Sequence, residues 1–262
     1  MKKIRLSPSD TGEFTKEICQ PLTEKLRERM YDLLHLMFAE NRRSLLIVLH
    51  GIDASGKDGT VRNIFSGANP QGIRVYSFKQ PSAEELAHDF LWRCHRLVPE
   101  RGSTAIFNRS YYEDVSTVKV NPKLLDDRKL GKVNLRTLFR DRYRQINDFE
   151  RMLVENQTVV LKFFLHISKE EQKERFNERL QDARKHWKFS AGDLEVRKVW
   201  DQHQRAFAEM IEATDTKVAP WHLIPADKKW YRNYLVVEQI VAALESQKMK
   251  FPAMNGKAPK FQ

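Results

Sequence analysis

The stretch "LLIVLHGIDASGKDGTVRNIF", residues 45–65, decides the fold. Its opening is continuously apolar, which marks a strand covered on both faces, as in a parallel sheet. Its end reads as a helix over 56–66. Between them, Gly51-Ile52-Asp53-Ala54-Ser55-Gly56-Lys57 fits the pattern G-x-x-x-x-G-K. Glycines let the backbone turn tightly and come close to an anion. Successive N–H groups then converge on phosphate oxygens, the helix adds its positive end, and Lys57 adds a full charge. Ala54, Ser55, Gly56, Gly59 and Thr60 are the accompanying phosphate-binding positions. The bare pattern is common by chance; a strand before it and a helix after it give it weight. The competing interpretation is a plain glycine-rich turn.

One position departs from the motif. Residue 58, where a hydroxyl usually meets Mg²⁺, is Asp58. A carboxylate repels a phosphate oxygen, so Asp58 is expected to face solvent or hold a metal-bound water. Thr60 is the nearest hydroxyl. Asp53, inside the loop, is the expected metal ligand; alternatively it accepts backbone N–H bonds within the turn.

Outward from this stretch, helical and strand patterns alternate. Short apolar runs at 44–50, 74–78, 104–108, 158–167 and 221–224 predict five strands. Helices are predicted over 21–41, 56–66, 83–96, 136–155, 169–181, 193–214 and 230–245, and Ser168 with Glu171 forms a capping box at one start. Such alternation predicts a three-layer α/β sandwich with a parallel sheet. Residues 1–16 read as a loose arm, 17–43 as an N-terminal helical segment, 182–198 as a lid and 248–262 as a flexible tail, all within one domain spanning 1–262. Ligands of open parallel sheets gather beyond the carboxyl ends of the strands. "IFNRSYYEDV" (106–115) therefore brings Asn108, Arg109, Glu113 and Asp114 toward the loop. Arg109 can grip phosphate bidentately. Glu113 is a second metal or water-anchoring candidate, unless it merely pairs with Arg109.

The chain has 262 residues and a formal net charge of +11. That surplus suits polyanionic partners: nucleic acid, an anionic membrane or a phosphate polymer. Cys19 and Cys94 have no metal-ligand or redox spacing, which fits a reducing cytoplasm. The basic start lacks an apolar run after it, and no stretch approaches ~20 apolar residues. A cytoplasmic protein without membrane association is expected.

The motifs "GIDASGKDGT", "SGANPQG", "FKQPSAEELAHDFLWR", "FNRSYYEDV", "KHWKFSAGDLEVRKVWD" and "APWHLIPADKKWYRN", in that order, resemble the second family of polyphosphate kinases, which are similar to thymidylate-kinase-like phosphate-loop kinases. The likeness covers about residues 22–244. It implies a phosphate-loop kinase fold with a helical lid. It further implies transfer of a terminal phosphoryl group between inorganic polyphosphate and a nucleotide (ADP or AMP, GDP or GMP), with Mg²⁺ and Mn²⁺ as an alternative. It also accounts for Asp58, since family members carry Gly or Asp there, and "GKDGT" resembles the subgroup accepting both mono- and diphosphates. Ser55 and Tyr111 depart from the family's usual residues without removing a charge. A homo-oligomer, dimer or tetramer, is implied, and nucleic acid is not an expected partner.

Lid cations close over a migrating phosphoryl group in such enzymes. Arg184 and Lys188 are expected to do so here, with Lys185 as a further phosphate ligand and Trp187 and Phe189 anchoring the lid. Lys79 is placed for the acceptor phosphate, and Gly67, Asn69, Phe78, Asn108 and Tyr112 for the nucleotide. Nine Lys or Arg against three acids over 119–144 suggest a track for the polyanion, or an ordinary solvated face. Asp89 and Arg93 are spaced to pair, His88 is structural, and His50 and His166 are expected to be satisfied core residues. Two rival functions remain at this point: an ATP-dependent nucleotide kinase on the same scaffold, and a basic nucleic-acid-binding module.

Overall fold

A computed structural model describes Ile4, residues 6–188 and residues 191–253; the side chains of Lys188, Ala191 and Asp193 fall outside the description. The centre of the chain is a parallel sheet of β1 (Ser44–His50), β2 (Ile73–Ser77), β3 (Thr104–Asn108), β4 (Thr158–His166) and β5 (Trp221–Pro225), in the order β2-β3-β1-β4-β5. Every residue of β1 and β3 is buried, as their unbroken apolar runs require. Register is what makes the site. Leu49 lies opposite both Asn108 and Phe163, and Ser77 lies opposite Asn108. The loops after β1, β2 and β3 therefore leave the sheet at one level and on one edge. Chain order reverses around β1, which puts the crevice beside the phosphate loop.

Helices α1 (Lys16–Glu40), α2 (Lys57–Phe65), α3 (Ala83–Ala87), α4 (Trp92–His95), α5 (Thr117–Val120), α6 (Leu135–Glu155), α7 (Lys169–Gln181), α8 (Ala191–Lys198), α9 (Trp200–Thr214) and α10 (Lys229–Ser246) surround the sheet. Helix α1 starts earlier than its periodicity suggests, because Thr15 accepts from the Ile18 N–H and caps it. In the arm before it, Pro8 and Phe14 are packed rather than loose. Phe14 lies 5.7 and 5.1 Å from the Tyr231 and Tyr234 rings, and the Asp227 N–H donates to the Pro8 carbonyl.

Two further expectations are corrected. The helix over 83–96 is broken, because Asp89 Oδ1 accepts from the N–H groups of Leu91 and Trp92 and starts a new turn there. Asp89 thus spends its carboxylate on the backbone and does not pair with Arg93. The helix over 193–214 divides at Val199. In the tail, Met249 is buried in the core; residues 254–262 lie outside the described set.

Behind the site sits a closed polar network. Lys162 Nζ on β4 donates to Glu150 Oε2 (2.7 Å), Tyr112 Oη (2.9 Å) and the Thr214 carbonyl (2.7 Å). The Tyr111 and Tyr112 hydroxyls both donate to Glu150 Oε1. All five residues are fully buried, and every donor named finds an acceptor, as a buried charge pair demands. Among the described residues, no helix is long and apolar enough to cross a membrane.

Candidate active site

The loop between β1 and α2 adopts the conformation its glycines were expected to permit. Gly51 and Gly56 have φ of +144° and +102°, and Ala54 also lies in the left-handed region. A Cβ on Gly51 would stand 2.7 Å from the Leu165 carbonyl oxygen. A Cβ on Gly56 would run into the Arg232 guanidinium. Lys57, nearly buried, folds its ammonium back onto its own loop, donating to the carbonyls of Gly51 (2.7 Å) and Ile52 (3.2 Å) and to Ser55 Oγ (3.3 Å). Burial, and next the Arg109 charge, bring this ammonium down to about 8.

Opposite the loop, Arg109 leaves the end of β3 with φ of +64°, an uncommon conformation for a residue with a side chain. Its Nη2 donates to Asp53 Oδ1. The strain and the ion pair together aim the guanidinium at the loop mouth. Asn108 Nδ2 donates to Asp58 Oδ1 at 2.6 Å, so the acid in the hydroxyl position is held by the strand that carries Arg109. Glu113 takes the Thr117 hydroxyl. Burial pushes its carboxyl up, but Arg109, His50, Thr117 and Lys57 outweigh that and hold it down at about 2. Asp53 and Glu113 are thus the carboxylates available to a cation beside the loop.

These residues line one cleft of about 2110 Å³. Single-ligand pockets run to roughly 1,000 Å³, so the cleft is larger than one ligand needs. Of the expected site residues, Asp53, Ala54, Gly56, Lys57, Asp58, Gly59, Phe78, Lys79, Asn108, Arg109, Glu113, Arg184 and Lys185 line it. Others do not. Ser55 and Thr60 are wholly buried, with the Thr60 hydroxyl on the Gly56 carbonyl. Tyr112 is turned into the Glu150 network. Gly67 is exposed, but its N–H donates to the Tyr31 hydroxyl, and Asn69 spends its side chain on the Gln71 N–H. The side chain of Lys188, and Phe189, lie outside the described residues.

The lid is a turn over Ala183–Lys188 followed by α8. Arg184 is well exposed and held by Asp182 at 3.0 Å, and Lys185 reaches the same carboxylate at 3.1 Å. Trp187 is 78% exposed, so it does not anchor the lid as expected. In the basic run over 119–144, three of the nine cations are engaged within the fold. Lys119 pairs with Glu209, and Arg128 and Arg142 are buried on Asp114.

The structure adds cations that sequence spacing did not single out. Arg175 on α7 donates to the carbonyls of Ala54 and Ser55 (2.9 Å each) and of Ala226 (2.5 Å), which ties the loop to the start of α10. Arg232 on α10 is 2% exposed and bonds the neutral Asn233 amide; among the described residues no carboxylate pairs with it. Burial, then Arg175, lowers it to about 9. Arg93 and Arg128 line the other end, Arg93 donating to the Lys79 carbonyl at 2.9 Å. Arg232 lies in "KKWYRN", where the basic cluster was visible in the sequence but its burial was not.

A model of the family Polyphosphate kinase 2 matches residues 14–252. The chain belongs to the Polyphosphate kinase 2 family. It is 46% identical over 250 residues to an AMP/ADP-polyphosphate phosphotransferase from Meiothermus ruber, covering 95% of this chain and 90% of that one. It is 44% identical to an ADP-polyphosphate phosphotransferase from Rhodopseudomonas palustris, covering 91% and 83%. The crystal structure of Polyphosphate Kinase 2 from Arthrobacter aurescens superposes with a TM-score of 0.91 at 36% identity, covering 98% of this chain and 90% of that one. As a Polyphosphate kinase 2 protein the chain is a phosphotransferase, and the fold expected from residues 45–65 stands.

Proposed function

We propose that this chain moves the terminal phosphoryl group of inorganic polyphosphate onto a nucleoside diphosphate or monophosphate, in a reversible, Mg²⁺-dependent reaction. The distribution of charge along the cleft carries this reading. On the side of α7 and α10 the lining includes Arg175, Arg179, Lys228, Lys229 and Arg232 against Glu171, Glu178 and Asp227, an excess of positive charge that suits a donor charged along its length. On the other side Lys79, Arg93, Arg109 and Arg128 are joined by apolar Phe78, Leu86, Val118 and Leu124, which suits phosphates attached to a nucleoside.

The protein's part is alignment and charge neutralisation. The loop N–H groups and Lys57 hold the migrating group, Arg109 reaches it from β3, and Arg184 and Lys185 approach from the lid. Asp53 and Glu113 suit a magnesium ion, which takes one or two carboxylates and fills its remaining positions with water and phosphate oxygens. When bound, such an ion would neutralise phosphate charge.

The test is ATP formation from ADP and long-chain polyphosphate, repeated with AMP. Transfer from ATP to AMP with none from polyphosphate would replace this reading with that of an ATP-dependent kinase.

A further inference from the structure

His50 ends β1, immediately before the phosphate loop, and is 1% exposed. Its ring hydrogen can be located by counting. The Ser116 hydroxyl lies 2.7 Å from the Tyr112 carbonyl oxygen, which only accepts, so the single hydroxyl hydrogen goes there. Ser116 Oγ also lies 3.1 Å from His50 Nε2 and must accept in that contact. Nε2 therefore carries the hydrogen, and burial keeps the ring neutral. Nδ1 is left with a lone pair. It is buried and has no hydrogen-bond partner among the described residues. It faces Glu113 Oε1 at 3.8 Å, another acceptor, while the Thr117 hydroxyl occupies Oε2 of the same carboxylate. The core residue expected at position 50 is thus only half satisfied. Two acceptors at that spacing cannot bond each other, but one donor with two hydrogens spans them.

We propose that His50 is a positioning residue for phosphoryl transfer: its Nδ1 and Glu113 Oε1 share one buried water, and through it the imidazole fixes the direction of the Glu113 carboxylate. Aromatic rings of Tyr112, Phe164, Phe207 and Trp221 pack around His50, while Glu113 borders the cleft, so a water held by the two acceptors can enter from that side. Groups that orient a functional carboxylate from behind affect activity without touching substrate. The catalytic consequence rests on the reading of this cleft given above; the water itself does not.

Two variants separate this role from simple packing. His50→Asn keeps an acceptor near the position of Nδ1 and gives up the bond to Ser116. His50→Gln keeps a donor toward Ser116 and gives up the acceptor. A high-resolution crystal structure of the full chain is expected to show a water peak within hydrogen-bond distance of both atoms, retained in His50→Asn and lost in His50→Gln. With polyphosphate and ADP, kcat is expected to stay within about threefold for His50→Asn and to fall about tenfold or more for His50→Gln, at similar losses in Tm. Direct contact between ring and carboxylate with no peak, or equal activity of the two variants, overturns the proposal. If the native chain makes no ATP from polyphosphate, the functional reading fails, and the density alone still decides the water.

Discussion

Lys57 is the residue on which burial and chemistry conflict most. Its ammonium must be charged to hold a phosphoryl group, yet in the free protein it loses its proton near pH 8. Because kcat/KM reports the free enzyme, that parameter for polyphosphate should fall as pH rises through about 8. In the bound complex phosphate favours the charged form, so the limb in kcat should lie higher. A pH series with saturating and limiting polyphosphate separates the two. The place of Lys57 in the cleft was legible because the glycine spacing stands between an apolar strand and a helix, and those of Asp53, Arg109 and Glu113 because they follow the ends of β1 and β3. Arg175 and Arg232 were not. Nothing in a one-dimensional pattern tells a solvated Arg from one buried against a loop carbonyl. Tyr112 misled for the converse reason: its neighbours face the cleft, while its own hydroxyl belongs to a carboxylate 38 positions away.

Among the elements, the loop from β1 to α2 offers the sharpest contrast. Gly51 faces a backbone oxygen that cannot retreat, whereas Gly56 faces the end of a flexible side chain. Gly51→Ala should cost the fold about 2–4 kcal/mol in urea unfolding. Gly56→Ala should cost less, since its strain is local, but should displace Arg232 and raise KM for polyphosphate. The strands β1, β3 and β4 were readable almost to the residue because buried parallel strands are largely apolar runs, whereas the exposed edge strand β2 was marked only by its short β-branched and aromatic run. The region after Arg109 was not readable: it is a series of single turns around Tyr111–Asp114 and Pro122–Arg128, too short to show any period. Behind it, Lys162 and Glu150 join β4 to α6. Lys162→Met should destabilise by about 3–5 kcal/mol by leaving a buried carboxylate without its counter-charge, and the double variant Lys162→Met with Glu150→Met should regain only part of that, because the Tyr111 and Tyr112 hydroxyls then lose their acceptor, as measured by a thermodynamic cycle.

At the scale of the whole molecule, an overall positive chain meets its ligand through a cleft whose cations come from α2, α7, α10, β3 and the lid. Association with a long polyanion should therefore slow as ionic strength rises, because exposed charges steer encounter and salt screens them. The resting arrangement of the loop has a different consequence. With Lys57 turned onto main-chain oxygens and Arg109 engaged by Asp53, both attractive charges are already spoken for before any substrate arrives. A lone orthophosphate must displace them with few contacts in return, whereas a linear oligomer displaces them while its remaining units settle against Arg232 and its neighbours. The site should thereby discriminate against small anions. In competition assays tripolyphosphate should inhibit use of the long polymer at concentrations at least about tenfold lower than orthophosphate does; equal potency would show that the resting loop offers no such discrimination.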